Sequence, residues 1–246
     1  MKRKKRLFCA LMAALLFTGC VSARPPQISG KAGERSKRDA NAEEWEDLKR
    51  ADRYADPVFG KRRRKENRPR LKMRVVLLEN NEYNRRRKLP GPFKKVTTVT
   101  IHNTANKAAA IEERNYLNNR RDEVSISFHF AVDEKEAIQI MPLEIHAWHA
   151  GDGHGKGNME SIAIEICRST HPDRSLYEKS EANAVILAAQ LLKKLHLKPT
   201  DLRMHKDWSG KYCPHRILEA NSWEDFRKRV ARMMKNPHLP AFGKSN

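Results

Sequence analysis

The chain has 246 residues, and its 50 Lys and Arg against 30 Asp and Glu leave a formal net charge of +20. Residues 1–95 contain 28 basic and 11 acidic residues, a net charge of +17, whereas residues 96–246 contain 22 and 19, a net charge of +3. This asymmetry excludes a uniformly basic, histone-like chain and predicts a folded domain behind a basic arm. Because no apolar run reaches the about 20 residues of a membrane-spanning helix, a multi-span membrane protein is also excluded.

The amino-terminal residues follow the order of segments that is typical of an export signal. Five basic residues lie within residues 1–6, an apolar stretch runs from Leu7 to Phe17, and Thr18 and Gly19 precede Cys20. This order resembles a bacterial lipoprotein signal, in which the chain is cut before a Cys that then carries lipid. We therefore expect a signal peptide over 1–19, lipidation of Cys20 and a membrane-attached location at the bacterial cell envelope. Ordinary signal cleavage near Ala23 is the alternative.

A basic tether follows the signal, over residues 20–72. It combines Pro25 and Pro26 with charge runs such as 61–65 and shows little apolar periodicity, which predicts a flexible segment. Beyond it, Cys167 and Cys213 are the remaining cysteines, so no disulfide framework is indicated. In an exported protein, an unpaired Cys near histidines is more typically held by a metal than left free to oxidise.

Strand and helix patterns alternate along the rest of the chain, which predicts an α/β layer fold. We place the folded domain at 73–234 and a C-terminal tail at 235–246. In the strand over 161–167, Ile162, Ile164 and Ile166 point to one face, and Ala163, Glu165 and Cys167 point to the other. The predicted elements are, in order, a strand at 96–101, a helix at 108–120, strands at 125–132, 137–141 and 161–167, and helices at 180–195 and 223–234.

Three residues at strand ends or in loops are candidate metal ligands: His102, His205 and Cys213. Two imidazoles and a thiolate suit Zn²⁺, which prefers four tetrahedral nitrogen and sulfur ligands. Three protein ligands leave a fourth position open, as in catalytic rather than structural zinc sites. The His-x7-Cys spacing is not that of a zinc finger and is a weak signal alone, since each histidine could equally be an ordinary surface or core residue.

Four motifs in order carry a family resemblance: Ile101-His-Asn-Thr-Ala105, Ala147-Trp-His-Ala-Gly-Asp152, Asn158-Met-Glu-Ser-Ile-Ala-Ile-Glu-Ile166 and His205-Lys-Asp-Trp-Ser-Gly-Lys-Tyr-Cys-Pro214. Over about residues 75–232 the chain resembles the type 2 N-acetylmuramoyl-L-alanine amidases, which are related to peptidoglycan recognition proteins and phage amidase lysozymes. The resemblance implies a mixed central β-sheet flanked by helices, with zinc held in a surface groove by His102, His205 and Cys213. It also implies hydrolysis of the amide between the lactyl group of N-acetylmuramic acid and L-alanine of the stem peptide.

The resemblance implies two catalytic residues, Glu165 and Lys211. The phage lysozyme branch has a tyrosine where this chain has Phe128, and a phenyl ring cannot donate a proton. The branch without that tyrosine has a glutamate matching Glu165, which could take a proton from water activated by zinc. Lys211 lies two residues before Cys213 and could stabilise the developing oxyanion. A buried salt bridge of Glu165 with Arg168 or Lys211, and a solvated Lys211, are the purely structural alternatives.

Two further residues match substrate-groove positions of the family, His149 and Asn158. Peptidoglycan or its soluble muropeptides are therefore the expected partners, together with the envelope membrane through lipidated Cys20. A muropeptide recognition module without activity is the alternative function, although such relatives typically lack a zinc ligand. No nucleic-acid partner is expected, because the basic arm is exported and has few aromatic residues. The oligomeric state stays open.

Overall fold

The computed structural model describes residues 68–243. The predicted signal peptide, Cys20 and all but the last residues of the predicted tether lie outside this range. Within it, no helix combines the length and the apolar character needed to cross a bilayer.

A mixed six-stranded sheet forms the centre of the domain, as the sequence predicts. Its strands are β1 (Met73–Val75), β2 (Thr98–Asn103), β3 (Phe130–Val132), β4 (Ala137–Gln139), β5 (Ser161–Ile166) and β6 (Leu202–Met204). They lie in the order β1-β4-β3-β5-β2-β6, and every neighbouring pair is parallel except the β3–β4 hairpin. In the hairpin connection, the carboxylate of Asp133 accepts the backbone N–H groups of Lys135 and Glu136, at 2.8 and 2.9 Å.

Seven helices surround the sheet in the described part of the chain. The long helix α4 begins six residues before its predicted start because the Asp173 side chain caps it, accepting the backbone N–H of Ser175 at 2.9 Å. The helices are α1 (Glu82–Arg87), α2 (Ala110–Asn119), α3 (Lys156–Glu160), α4 (Arg174–Lys194), α5 (Lys206–Ser209), α6 (His215–Glu219) and α7 (Trp223–Lys235).

The predicted strand at 125–132 is wrong over its first half, since β3 begins only at Phe130. The reason is that backbone groups of this segment form hydrogen bonds with a loop instead of with a neighbouring strand. The N–H of Ser127 donates to the carbonyl of Trp148 at 2.9 Å, and the N–H of Trp148 donates to the Ser127 hydroxyl at 3.0 Å. Residues 125–129 therefore follow the loop around Trp148 instead of continuing the sheet.

The two faces of the sheet bury different sets of side chains. Ile101 of β2 and the three isoleucines of β5 lie in one apolar cluster with α4 and α7. Ala163 and Cys167 lie in a second cluster on the other side, with Ala110 and Leu117 of α2. The predicted alternation along β5 is thus confirmed. The β2–β5 register places His102 beside Glu165 on this second face.

The packed domain extends beyond the predicted bounds of 73–234. Leu71 is buried in the core, and Leu239 and Phe242 pack against it from the carboxyl end. The Gln190 side chain of α4 donates to the carbonyl of Pro240 at 3.1 Å. The described part of the predicted tail therefore belongs to the folded domain.

Lys88 is an unexpected buried residue, with 1% of its surface exposed. Its ammonium group donates to the carbonyls of Leu117, Asn118 and Arg120, at the end of α2. Helix ends leave carbonyls without partners, so this lysine satisfies groups that would otherwise be buried unpaired. Burial, with a contribution from nearby arginines, lowers the pKa of Lys88 to about 8.

Candidate active site

The three candidate metal ligands come together at one edge of the sheet. His102 lies near the end of β2, His205 directly follows β6, and Cys213 lies in the loop between α5 and α6. Because β2 and β6 are parallel neighbours, their carboxyl ends meet. The Nδ1 atoms of His102 and His205 are 3.0 Å apart, and Cys213 Sγ is 3.9 Å from His102 Nδ1. All three residues are buried, and their donor atoms lie within 4.8 Å of one another.

The chemistry of this cluster fits a zinc ion. Burial, followed by the charge of Lys211, lowers the pKa of His205 to about 4, and burial lowers the pKa of His102 well below its usual value. Both imidazoles are therefore neutral and have an electron pair to donate. Burial raises the pKa of the Cys213 thiol to about 12, while the backbone N–H of Asn103 donates to its sulfur at 3.4 Å. A bound cation reverses this preference, because a coordinating thiol loses its proton.

Glu165 lies beside the cluster, and one of its two carboxylate oxygens is buried there. Its Oε1 is 3.8 Å from His102 Nδ1, and within residues 68–243 its buried Oε2 has no hydrogen-bond partner. Burial, followed by the charge of Glu113, raises the pKa of Glu165 to about 8. Arg168, one of the two structural partners considered from the sequence, instead binds Glu134, with distances of 3.0 and 3.2 Å. The geometry leaves Glu165 free to handle a proton.

The cluster forms the floor of an open groove of about 630 Å³. Lys211 is exposed and lines it, together with Phe128, Glu165 and Trp148. The segment 124–128 forms one wall. His129, next to Phe128, bonds inside the protein instead, to the N–H of Ala163 and the carbonyl of Ile145. The three candidate ligands, Glu165 and Lys211 therefore line one groove.

His149 and Asn158 also border the groove, but they are 8% and 3% exposed and their polar atoms are engaged inside the protein. The Nδ1 of His149 is 3.0 Å from His102 Nε2, and its Nε2 is 3.3 Å from the carbonyl oxygen of Ser161. The Oδ1 of Asn158 accepts the backbone N–H groups of His149 and Ala150, each at 2.8 Å. Their predicted role in substrate binding stays a prediction.

Sequence reasoning missed the loop that holds these residues. The carboxylate of Asp152 accepts the N–H groups of Gly157 and Asn158 at 2.7 and 3.1 Å, at the start of α3. A Cβ atom at Gly157 would lie 2.5 Å from the Ala150 side chain and 2.7 Å from Trp208, so only glycine fits there. The density of glycines in 151–157, directly after the Trp-His pair, is the signal that could have located this loop.

A mixed sheet with a buried His-His-Cys cluster and a carboxylate in an open groove defines an α/β domain with a possible catalytic metal site. The chain belongs to the N-acetylmuramoyl-L-alanine amidase family, whose sequence profile matches residues 92–216. This match includes His102, Glu165, His205 and Cys213.

Individual relatives agree with this assignment. The N-acetylmuramoyl-L-alanine amidase XlyB of Bacillus subtilis (strain 168) is 47% identical over 135 residues, covering 54% of this chain and 42% of the relative. CwlA of the same strain is 44% identical over 149 residues, covering 60% of this chain and 53% of the relative. The chain thus matches about half the length of these relatives.

Solved structures share the fold of the domain. The structure of PlyL is 40% identical, with a TM-score of 0.58, and the match covers 66% of this chain and 97% of that chain. The catalytic domain of XlyA is 34% identical, with a TM-score of 0.55, and the match covers 64% and 99%. The described residues therefore correspond to a whole catalytic domain of that type.

Proposed function

We propose that this chain is a zinc-dependent N-acetylmuramoyl-L-alanine amidase, which hydrolyses the amide between the lactyl group of N-acetylmuramic acid and L-alanine of the stem peptide. The observation that carries the proposal is the buried cluster of His102, His205 and Cys213, with a Glu165 oxygen beside it that has no hydrogen-bond partner among residues 68–243. The family membership supports the same reaction.

His102, His205 and Cys213 would hold the zinc ion through two nitrogen atoms and one sulfur. The chemistry that zinc supplies when bound is Lewis acidity, which polarises a carbonyl group and makes water a stronger acid. Three protein ligands leave room for the substrate, as catalytic sites require.

Glu165 acts as the general base and then as the general acid. Beside a cation held by the neighbouring ligands, the pKa of Glu165 would fall from about 8, so that its carboxylate accepts the proton of the attacking water as the water oxygen bonds to the amide carbon. The same carboxyl group then donates this proton to the leaving nitrogen of L-alanine as the C–N bond breaks. The products are a lactyl carboxylic acid and the amino group of L-alanine, and at neutral pH the acid's proton passes to that amine to give a carboxylate and an ammonium group, so atoms and protons balance.

Lys211 supplies positive charge at the rim of the same groove. Negative charge develops on the amide oxygen when water attacks, and an ammonium group facing the groove stabilises it. Lys211 is solvent-exposed, so water and salt reduce the size of this contribution.

The decisive test compares two cysteine variants of the full chain. Wild type and Cys167→Ala are expected to contain one zinc per chain and to release stem peptides from muropeptides, because Cys167 is buried away from the cluster's donor atoms. Cys213→Ala is expected to lose both properties. Elemental analysis measures the zinc, and mass spectrometry of the muropeptides measures the cleavage.

Two results would contradict the proposal. Full zinc occupancy in Cys213→Ala would reject the ligand assignment. A wild-type chain that binds muropeptides and zinc but leaves the amide intact would instead identify a recognition module without activity.

We also propose that the domain is lipid-anchored at the bacterial cell envelope through Cys20. The charged start, the apolar stretch and the small residues before Cys20 support this location, and so does the basic segment behind it. One acyl chain holds a protein on a membrane only marginally, whereas further acyl chains or a basic segment add the attraction needed for stable attachment.

Fractionation of two signal-region variants tests the anchor. Cys20→Ser is expected to leave the membrane fraction, more completely at high salt, and to keep its activity on soluble muropeptides. Cys9→Ser is the matched control, since it also removes a cysteine from the signal region but leaves the lipidation position intact. A Cys20→Ser protein that sediments with membranes at every salt concentration would contradict the anchor.

A further inference from the structure

We infer that Asn158 is a positioning residue, which sets both zinc-binding histidines in the tautomer that presents Nδ1 to the metal. It acts through the ring of His149 on His102 and through the carbonyl of Ala150 on His205. This inference rests on the proposed zinc site, and it assigns His149 and Asn158 a role different from the substrate binding expected from the sequence.

The ring of His102 faces different partners with its two nitrogen atoms. Its Nδ1 lies 3.0 Å from His205 Nδ1 and 3.9 Å from Cys213 Sγ, on the side of the candidate metal ligands. Its Nε2 lies 3.0 Å from the Nδ1 of His149. A neutral imidazole has one N–H group and one electron pair, so a ring that gives its Nδ1 pair to a metal must donate its Nε2–H to His149.

His149 is prepared to accept that hydrogen bond. Its Nε2 lies 3.3 Å from the carbonyl oxygen of Ser161, which can only accept. The proton of His149 therefore belongs on Nε2, and its Nδ1 keeps an electron pair for His102. The carbonyl of Ser161 thus determines the direction of two hydrogen bonds. His149 donates to Ser161, and His102 donates to His149.

Ala150, which follows His149 in the same loop, orients the ring of His205. The ring of His205 donates to the backbone carbonyl of Ala150, and a Cβ atom at Gly151 would lie 3.6 Å from His205 Nε2. The Nε2 side of His205 therefore faces this loop, and its Nδ1 faces His102. A carbonyl acceptor at Nε2 again leaves the electron pair on Nδ1.

Asn158 holds the two supporting residues together. Its Oδ1 accepts the N–H groups of both His149 and Ala150 at 2.8 Å, and its Nδ2 donates to the carbonyl of Gly153 at 2.8 Å. The side chain is 3% exposed, so these bonds form away from water. One amide group therefore fixes the position of the His149 ring and of the Ala150 carbonyl, and through them both zinc histidines.

The tautomers can be read in the zinc-loaded wild-type full chain by ¹⁵N–¹H NMR with labelled histidine. We expect His102, His149 and His205 all to carry the proton on Nε2. A wild-type chain with the proton on Nδ1 of His102 or His205 would overturn the inference. Because this measurement needs no variant, it decides the inference even if a variant fails to fold. A chain that binds no zinc would overturn the proposed function, whereas a zinc-loaded chain with the other tautomer would overturn this inference alone.

Zinc affinity, measured by competition with a chromophoric chelator, tests the same residues energetically. His149→Leu is expected to weaken zinc binding by about 10- to 100-fold, the usual effect of removing an outer partner of a metal ligand. His146→Leu is the matched control, since His146 packs on Phe93 and Trp148 and is expected to leave the affinity unchanged. Equal affinities of the two variants would contradict the role of His149.

Two variants of Asn158 separate positioning from space filling. Asn158→Asp keeps an oxygen that can accept both N–H groups, whereas Asn158→Leu has a similar size without one. We expect Asn158→Asp to retain more zinc affinity than Asn158→Leu. The reverse order, or equal losses, would show that Asn158 only fills space.

Discussion

Neighbouring residues of strands β2 and β5 lie on opposite faces of the sheet, one in the apolar core and the other at the groove. Ile101 and Ile164 point to one side, where α4 and α7 cover them completely. His102 and Glu165, each one residue further along, point to the other side, where the groove opens. Because side chains alternate along a strand, a rigid apolar core and a reactive site share the same backbone. The core therefore holds the site in place without taking part in its chemistry.

Removing the proposed base should produce the largest effect. Glu165→Gln is nearly isosteric but cannot accept a proton, and we expect turnover of muropeptides to fall by about 10²- to 10⁴-fold while zinc and fold are retained. Glu160→Gln is a matched control at the opposite end of β5, where Glu160 binds the Thr97 hydroxyl. A Glu165→Gln enzyme with near-normal turnover would reject this assignment.

On the core face, a substitution should change stability and leave the chemistry intact. Ile164 is fully buried, so Ile164→Ala should lower the free energy of unfolding by about 2 to 5 kcal/mol, and Ile164→Val by about 0.5 to 1.5 kcal/mol. Urea unfolding measures these losses. Zinc content per folded chain should match the wild type. Loss of zinc in the still-folded Ile164→Val protein would show that the core face and the groove face are not independent.

Lys211→Ala should slow turnover less than Glu165→Gln does. A fully desolvated donor at an oxyanion contributes about 10²- to 10³-fold, and the exposed Lys211 should contribute less than this. Zinc content should change little. Lys206→Ala, an exposed lysine of α5, provides the control. If both lysine variants had the same rate as the wild type, Lys211 would be an ordinary surface residue.

Phe128→Tyr should have the smallest effect, less than about tenfold in rate, which corresponds to ~1.4 kcal/mol. Because Glu165 already accepts and donates the proton, a tyrosine hydroxyl in the groove should add no further proton transfer. Muropeptide turnover of this variant beside the wild type gives the answer. A large gain would show that the chain needs the tyrosine of the other branch.

The alternation of side chains along β5 could be predicted from the sequence because it depends on neighbouring residues alone. The motifs around His102, His205 and Cys213 also indicated the family, and with it the mixed sheet. Local patterns failed where backbone groups had two possible partners. Residues 125–129 look like a strand, yet the backbone N–H and the hydroxyl of Ser127 bond to Trp148 instead of to a neighbouring strand.

The reactive residue types, and most of the strands and helices that carry them, can be predicted from the amino-acid sequence. The tertiary structure determines which atoms face one another, because His102 and Cys213 are separated by 111 positions and meet through the sheet. It also decided that Lys88, in a run of basic residues, is buried at the end of α2. Likewise, Asn158 and His149 bond inward, since the direction of a hydrogen bond depends on distant backbone groups that no local pattern specifies.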